Sequence, residues 1–361
     1  MPRKLILQNF QSPGDILMLT ATVRDLHLTY PGEYLTDVRT PFPQLWEHNP
    51  HVTPLQDDDS EATVISMHYP LIHESNAGAY HFVHGFTRFL AEQLDRPIKV
   101  HRQAGDIHLT DEERSWISMV EQHYSGSDMP YWLICSGGKK DYTAKWWIPE
   151  YAQQVVDHFR DRIQFVQFGD VGTNHHHPPL DGVINLVGQT DIRMFTRLMY
   201  HAEGVICPVT FAMHLAAAVP TKPGKPVHRA CVVTAGGREP STFTFYGHHQ
   251  YLHTNGAFPC CQQGGCWKSR IVPLGDQDQK DAELCVDTVE LNARRVQRCM
   301  HDGVTAQDVI RAVQKYYDGG VLQFLPPECR SITASWDDRI SQPLDGHDGF
   351  AQQRGQTPSI W

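Results

Sequence analysis

The stretch that decides the fold is Lys4-Leu5-Ile6-Leu7-Gln8, followed by Ser12-Pro13-Gly14-Asp15 and then by an apolar segment from Ile16 to Leu26. The first run predicts a buried strand and the second a turn. The spacing of apolar residues in the third predicts a helix. A strand that feeds a helix through a glycine turn forms the ligand crevice of an open parallel sheet, at the carboxyl ends of its strands. We therefore expect an α/β protein with a binding site at residues 12–15.

Asp15 is the candidate functional residue of this turn. At the N-terminus of a helix, the helix dipole and the unpaired amide groups stabilise a carboxylate. The stretch alone allows two interpretations. Asp15 either acts on a bound ligand or only caps the helix.

Length, composition and charge define the class of protein. A chain of 361 residues with 40% apolar residues is long enough for two soluble domains of ordinary size. The formal net charge of -10 argues against a non-specific nucleic-acid binder, which usually has a basic surface. No apolar run approaches the roughly 18 residues needed to span a bilayer, and the N-terminus has no signal-peptide core. We therefore expect a cytoplasmic protein that can still touch a membrane surface.

Strand and helix signals alternate along nearly the whole chain, which favours parallel sheets built from βαβ units. The candidate strands are Lys4–Gln8, Glu33–Val38, Ala62–Met67, Pro97–His101, Tyr131–Cys135, Ile163–Phe168, Gly182–Leu186, Gly204–Cys207 and Arg229–Thr234. The candidate helices after the first are Ala77–Leu94, Asp111–His123, Pro149–Phe159, Asp191–Tyr200, Phe211–Ala218 and Ala306–Tyr316.

A polar, glycine-containing link at Ser125–Pro130 divides this pattern, which then restarts with a strand and a second glycine turn. We therefore expect two doubly wound, Rossmann-like domains that face a cleft. Their predicted bounds are residues 1–128 and 129–320, with a cysteine-rich loop insertion at 258–300 in the second domain. Residues 321–361 are rich in Pro, Asp, Gln and Ser and predict a disordered tail.

Four segments between residues 4 and 220 resemble, in this order, the motifs of one enzyme family. They are Ser12-Pro13-Gly14-Asp15, Lys145-Trp146-Trp147-Ile148-Pro149-Glu150, Asn185–Asp191 with the helix that leads to Ala202–Ile206, and Thr210–Ala218. The ordered set resembles the ADP-heptose:lipopolysaccharide heptosyltransferase family (glycosyltransferase family 9), whose members have the two-domain GT-B fold.

The resemblance implies an activity and a division of labour. The protein would transfer heptose from ADP-heptose to a hydroxyl acceptor in cell-envelope lipopolysaccharide synthesis, with inversion and without a catalytic metal. Asp15 would be the general base, and Lys145 would bind a donor phosphate. The first domain would hold the acceptor, near His68, Tyr69 and His73, and the second the nucleotide sugar. The acceptor would be a glycan, a lipid-linked sugar or a protein.

The fourth segment departs from the family pattern. The family's aspartate, which contacts donor-sugar hydroxyls, falls on Val209 and its glycine on Phe211, while Thr210 and His214 remain. This departure leaves open a different nucleotide-sugar donor, a protein acceptor, or an epimerase on the same scaffold. A non-catalytic module that binds a nucleotide sugar is the alternative from another functional class.

The chemistry of sugar transfer also supports the residue assignments. It needs a base near the acceptor oxygen and positive charge near the departing diphosphate, which Asp15 and Lys145 would supply from different domains. Alternatively, Lys145 is a solvated lysine beside two tryptophans. The other candidate donor and phosphate contacts are Ser12, Gly14, Ser136, Gly137, Gly138, Thr210 and His214. Lys139 and Lys140 either assist or are surface charges, and His214 is either a ligand contact or a core histidine.

Five of the nine cysteines cluster between residues 260 and 299. A loop-rich insertion without apolar periodicity needs something to hold it, and four thiolates around zinc or iron would do so. We predict a structural metal site at Cys261, Cys266, Cys285 and Cys299, with Cys260 as a substitute for Cys261. Ordinary reduced cysteines are the alternative. The cluster resembles, with different spacing, the iron-binding cysteine finger of related protein heptosyltransferases. By contrast, the three histidines at 175–177 predict a solvated loop rather than a metal site.

Overall fold

Two parallel β-sheets form the framework of the protein. The structure is a computed structural model and describes residues 1–318 except 70, 71, 73, 79 and 124–130. The first sheet consists of β1 (Arg3–Gln8), β2 (Tyr34–Arg39) and β3 (Ala62–Ser66), in the order β2-β1-β3. The second sheet consists of β4 (Tyr131–Ile134), β6 (Gln164–Gln167), β8 (Ile184–Asn185), β9 (Gly204–Pro208), β10 (Ala230–Gly236) and β11 (Gln250–His253). Its strand order is β11-β10-β9-β4-β6-β8.

Two antiparallel ribbons and ten helices complete the described part of the fold. The ribbons pair β5 (Gly138–Lys139) with β7 (His175–His176), and β12 (Thr288–Leu291) with β13 (Arg294–Gln297). The helices are α1 (Pro13–Thr29), α2 (Phe82–Leu94), α3 (Asp111–Ser115), α4 (Met119–His123), α5 (Pro149–Phe159), α6 (Ile192–His201), α7 (Phe211–Ala218), α8 (Ser241–Thr244), α9 (Arg298–His301) and α10 (Ala306–Tyr317). None of the described helices is long and apolar enough to cross a membrane.

Helix α1 lies between the two sheets and joins them into one unit. We call residues 1–123 the N-terminal half and residues 131–318 the C-terminal half. Both belong to a single compact unit, Met1–Asp318. Every residue of α1 from Ile16 to Leu26 is buried, because the helix packs on α2 and on α7 and its apolar side chains share one core with Leu5 and Leu7 of β1. The start of α1 therefore faces the C-terminal half. A Cβ atom on Gly14 would lie 3.7 Å from the ring of His214.

A buried ion pair also connects the halves. Arg193 in α6 contacts Glu113 in α3 through two bonds, Nε to Oε1 at 2.5 Å and Nη2 to Oε2 at 2.6 Å. The same guanidinium donates to the carbonyl of His108 at 2.6 Å. The two side chains are only 9% and 6% exposed, so each charge depends on the other for compensation.

The predicted alternation of strands and helices is confirmed. Helices 149–159 and 211–218 begin and end as predicted, and β1, β2, β3, β4, β6, β9 and β10 lie within a few residues of their predicted bounds. The link at Ser125–Pro130 and the tail at 321–361 lie outside the described residues. The bounds of the two domains stay a prediction.

Three element predictions are corrected. Pro97–His101 is not a strand, because side chains at the C-terminal end of α1 take up two of its backbone groups. The hydroxyl of Tyr30 donates to the Pro97 carbonyl at 2.5 Å, and that of Thr29 accepts from the Lys99 amide at 3.2 Å. The predicted helix 111–123 is two short helices, α3 and α4, interrupted by extended backbone at residue 116. The predicted helix 77–94 begins only at residue 82.

Candidate active site

A cavity of about 410 Å³ opens at the carboxyl ends of β1, β4, β9 and β10. Residues 12–15, at the start of α1, and Tyr69 line it from the N-terminal half. Residues 137–139, 208–211 and 238–239 line it from the C-terminal half. The carboxyl ends of parallel strands are where open α/β sheets bind their ligands. The predicted site at residues 12–15 is therefore one wall of a cavity to which both halves contribute.

Asp15 is both a helix-terminal residue and a wall of this cavity. Ser12 is the N-cap of α1, and Asp15, in the first turn, accepts a hydrogen bond from the Ser12 amide through Oδ2 at 3.1 Å. Burial raises the pKa of Asp15, whereas a hydrogen bond from the Tyr69 hydroxyl and the charge of Lys145 oppose that rise. Gly14 lies inside the helix rather than in a tight turn. Both interpretations of Asp15 thus fit its geometry.

Lys145 is not a solvated surface lysine. It ends a 3-10 helix, Lys140–Lys145, and its Nζ atom lies 2.6 Å from Glu239 Oε1 and 3.4 Å from the carbonyl of Val209. Burial lowers the pKa of Lys145, while the charge of Glu239 raises it. The ammonium group faces the cavity from the C-terminal half, and its charge acts on Asp15.

The segment that carries Lys145 is held by the cysteine-rich insertion. The side chain of Gln297 is 2% exposed, and its amide group points at this segment. It donates to the carbonyls of Thr143, Ala144 and Trp146 at 3.1, 3.0 and 2.9 Å. One buried amide therefore fixes the backbone on both sides of the lysine.

Two charged residues of the site, Arg238 and Glu239, are absent from the sequence-based assignments. They follow the Gly236-Gly237 pair at the end of β10, the kind of glycine turn that marked the other two binding loops. Arg238 Nη1 lies 2.5 Å from Glu239 Oε1, and both residues are buried. The Arg238 guanidinium also lies 5.2 Å from the ring centre of Tyr142 and 5.3 Å from that of Trp267.

The glycine turn after β4 lies against the histidine segment. A Cβ atom on Gly137 would come within 2.0 Å of the His176 carbonyl, so only glycine fits there. Gly137 and Gly138 line the cavity. The predicted contact Ser136 is 1% exposed, and its hydroxyl donates to the Pro178 carbonyl at 2.6 Å, so its side chain is used within the fold. Lys139 reaches across the cavity, where its Nζ donates to Ser12 Oγ at 3.2 Å.

Thr210 and His214 also line the cavity, from the start of α7. The Nδ1 atom of His214 lies 2.7 Å from the Tyr246 hydroxyl. Burial and the neighbouring His81 lower the pKa of His214 to about 3, which keeps the ring neutral near pH 7. His214 is therefore a buried, hydrogen-bonded histidine that still contributes to the cavity wall.

The histidine segment is not the solvated loop that we predicted. Residues 175 and 176 form strand β7, which pairs with β5, and the rings of His175 and His177 stack at 6.4 Å and line the cavity. Burial lowers the pKa of His177 to about 4.

The clustered cysteines are free thiols that act on one another. Burial, together with the charges of Cys285, Cys266 and Cys260, raises the pKa of Cys299 to about 12. Burial likewise raises the pKa of Cys260 to about 11, with contributions from Cys261, Cys266 and Cys285. The four residues 260, 266, 285 and 299 thus lie within electrostatic reach of one another.

Cys261 acts on the same group, because its charge raises the pKa values of Cys260 and Cys266. It is buried, and its thiol donates to the carbonyl of Thr254 at 3.1 Å. The Cys285 thiol likewise donates to a carbonyl, that of Asp287 at 3.4 Å, so these contacts do not distinguish Cys261 from Cys260, the predicted substitute, as the fourth member of the group.

Within the described part of the chain, the one group of His, Cys, Asp or Glu ligand atoms that all lie within 4.8 Å of one another is Glu47, His48 and Glu113. The cysteine sulfur atoms are more widely spaced than that. Arg193 pairs with Glu113, and its Nε atom also lies 3.3 Å from Glu47 Oε2, so a guanidinium neutralises this acidic group.

Solved glycosyltransferases have a similar architecture. The glycosyl transferase family 9 structure from Veillonella parvula matches 87% of this chain and 96% of its own, with a TM-score of 0.55 and 13% identity. The E. coli ADP-heptose LPS heptosyltransferase II matches 87% of this chain and 98% of its own, with a TM-score of 0.50 and 15% identity. The iron-containing dodecameric glycosyltransferase TibC from enterotoxigenic E. coli matches 88% of this chain and 76% of its own, with a TM-score of 0.54 and 13% identity. The chain has the fold of these glycosyltransferases.

This likeness confirms the predicted fold class, two Rossmann-like domains that face a cleft. It concerns the fold, because the identities are low. No family model and no curated protein matches the sequence.

Proposed function

We propose that the protein is a glycosyltransferase that uses a nucleotide diphosphate sugar. The observation that carries the proposal is the meeting of Asp15 and Lys145, from opposite halves of the molecule, in one cavity. A carboxylate that accepts a proton and a cation that receives a departing diphosphate are what such a transfer requires.

The reaction proceeds by direct displacement. The Asp15 carboxylate takes the proton from an acceptor hydroxyl, whose oxygen forms a bond to the anomeric carbon of the donor sugar. The bond between that carbon and the diphosphate oxygen breaks, and its electron pair leaves with the nucleoside diphosphate. Lys145 and Lys139 stabilise the new charge. The sugar is inverted because the acceptor enters opposite the leaving group.

We infer that the donor is ADP-heptose. Two solved structures with this fold support the inference, one named as an ADP-heptose LPS heptosyltransferase and one containing ADP-D-beta-D-heptose. The aromatic walls of the cavity, formed by Phe82, Tyr142, Trp146 and Phe243, suit the faces of a nucleobase and a sugar. The acceptor would be a hydroxyl of a cell-envelope glycan, a lipid-linked sugar or a protein, reached in the cytoplasm or at a membrane surface.

One observation favours a second candidate within the same class. Val209 and Phe211 both line the cavity, so the wall beside Thr210 is apolar. A nucleotide sugar with fewer polar groups on that side is the alternative donor.

We also propose that the cysteine group holds a structural zinc or iron ion. Four thiols within electrostatic reach form a suitable donor set, because metal binding replaces their protons. Cys266, Cys285 and Cys299 would hold the ion together with Cys261, or with Cys260 in its place. The site stabilises the insertion that clasps the Lys145 segment, and no step of sugar transfer involves it.

The Asp15→Asn variant tests the proposed function. Asparagine keeps the size of the side chain but cannot act as a base. ADP should still bind, while turnover of ADP-heptose should fall by roughly 10²- to 10⁴-fold, as for the loss of a general base. Binding would be followed by calorimetry and turnover by release of ADP. Full turnover in the variant would show that Asp15 is not the base.

A further inference from the structure

Glu239 is the buried acid of the cavity to which the proposed transfer gives no role. Glu239 is 5% exposed, and its carboxylate lies directly beside the Lys145 ammonium group, which would receive the diphosphate. Burial of a carboxylate is unfavourable unless cations and hydrogen bonds compensate it. Burial alone would raise the pKa of Glu239, but Lys145 and Arg238 hold it below its ordinary value. The side chain is therefore a carboxylate near pH 7.

The two cations use the same carboxylate oxygen. Lys145 Nζ lies 2.6 Å from Oε1, and Arg238 Nη1 lies 2.5 Å from it. Within the described residues, no hydrogen bond ends on Oε2. Oε2 is not one of the fully buried polar atoms that lack a hydrogen-bond partner. Because Glu239 lines the cavity, this oxygen is accessible from it. A carboxylate oxygen of this kind accepts hydrogen bonds strongly.

The position of Glu239 indicates which part of a donor it meets. The charges of Asp15 and Glu239 both raise the pKa of Tyr69, the residue whose hydroxyl donates to Asp15. Glu239 therefore lies toward the proposed base. When a nucleotide diphosphate sugar is bound, the transferred sugar lies between Asp15, the proposed base, and Lys145, which receives the diphosphate.

Other acids of the cavity are less suited to this part of a ligand. Asp15 is committed to the acceptor proton, and the side chain of Asp170 is 68% exposed at the cavity rim. The residue before Thr210 is Val209, which offers no acceptor. Glu239 is the remaining acid of the described cavity wall.

We propose that Glu239 binds hydroxyl groups of the transferred sugar and so selects a donor with hydroxyls near the reacting carbon. The inference rests on the proposed function, because it assumes that a nucleotide diphosphate sugar occupies the cavity. It makes Glu239 a specificity-determining residue rather than only a counter-ion for Lys145.

The two roles predict opposite changes in the Glu239→Gln variant. If Glu239 only neutralises Lys145, loss of its charge leaves more positive charge for the phosphates, and ADP and ADP-heptose should both bind at least as tightly as before. If Glu239 also binds the sugar, ADP-heptose should bind roughly 10- to 100-fold more weakly, as expected for the loss of charge-assisted hydrogen bonds, while ADP binds at least as tightly as before. The glutamine oxygen can still accept from Arg238, which favours folding of the variant.

The decisive quantity is the ratio of the dissociation constants of ADP-heptose and ADP, measured by calorimetry for the unaltered protein and for Glu239→Gln. Glu92→Gln, an exposed acid on α2, is the matched control and should leave the ratio unchanged. A donor with a deoxy sugar should bind the unaltered protein more weakly than ADP-heptose does. The variant should bind both donors about equally.

Three results would overturn the inference. A ratio that stays unchanged while both affinities are kept or improved would make Glu239 a counter-ion, and a ratio that stays unchanged while both affinities fall equally would place its contact on the ADP part. Failure of the unaltered protein to bind ADP would instead overturn the proposed function, and this inference with it. Should Glu239→Gln lose its cooperative melting transition, Glu239→Asp gives the same test with the charge retained and the reach shortened.

Discussion

At the scale of single residues, the state of Asp15 controls the proposed reaction. Burial raises its pKa above the ordinary value, and only the ionised form can accept a proton. Turnover of ADP-heptose should therefore fall as the pH decreases through this raised pKa, above the pH of about 3.9 at which an ordinary aspartate titrates. The measurement is the pH dependence of the rate.

Tyr69→Phe should shift this pH dependence. The Tyr69 hydroxyl donates to the carboxylate and so lowers the pKa of Asp15. Its removal should move the acid limb of the profile to higher pH. Tyr151→Phe is the control, because the Tyr151 hydroxyl donates to the His301 carbonyl away from the cavity. An acid limb that stays in place in Tyr69→Phe would argue against Asp15 as the titrating base.

At the scale of elements, the hydrogen bonds from Gln297 to the backbone around Lys145, here called the clasp, can be tested directly. Gln297→Leu keeps the volume but leaves three carbonyls without their donor. We expect a loss of about 1–3 kcal/mol in the free energy of unfolding and a higher KM for the donor, because Lys145 is less firmly placed. Gln153→Leu, which removes an exposed amide on α5, is the control for both denaturant unfolding and kinetics. An unchanged KM would mean that the clasp does not position the lysine.

The ion pair between α6 and α3 should contribute to stability in a pH-dependent way. Burial alone raises the pKa of Glu113, but Arg193 and the Thr110 amide hold it below its ordinary value. The pair therefore stabilises the fold above the unfolded-state pKa and loses this contribution as the pH falls through the lower folded-state pKa. Arg193→Met leaves a buried charge uncompensated and should destabilise the protein by about 3–5 kcal/mol at pH 7, with a smaller loss in acid.

Denaturant unfolding at several pH values checks this prediction. Arg160→Met breaks an exposed pair with Asp157 and should change the free energy of unfolding by less than about 1 kcal/mol. An equally small effect of Arg193→Met at pH 7 would contradict the proposed role of the pair.

Local patterns predicted the elements better than the site. Pro149 and Thr210 mark the starts of α5 and α7. Helix α5 has one apolar face and α7 is apolar at nearly every position, and both lie where the sequence predicts them. The strand predicted at Pro97–His101 is wrong because apolar alternation cannot show that this backbone bonds to side chains at the C-terminal end of α1. Asp15 and Lys145 stand in recognisable motifs. The importance of Glu239 arises only from its folded proximity to Lys145, which local sequence does not encode.

At the scale of the whole molecule, the cysteine-rich insertion should depend on a metal ion. The purified protein should contain zinc or iron, and removal of the ion by a chelator should lower the melting temperature. Cys285→Ser and Cys299→Ser should lose the metal, whereas Cys231→Ala, in the core strand β10, should retain it even if it is less stable. Elemental analysis provides the measurement. Metal-free protein with unchanged stability would identify the cysteines as ordinary thiols.

The central claim is that a nucleotide diphosphate sugar binds where the two halves meet at Lys145. The most direct test is the melting temperature with ADP, UDP, GDP and CDP, each with and without an attached sugar, for the unaltered protein and for Lys145→Met. Lys225→Met, an exposed lysine paired with Glu203, is the control. A ligand that binds only the folded state at 100 times its dissociation constant stabilises it by about 2.7 kcal/mol. We predict that ADP raises the melting temperature, that ADP-heptose raises it more, and that Lys145→Met loses most of both shifts. No shift with any nucleotide, or full shifts in Lys145→Met, would contradict the account.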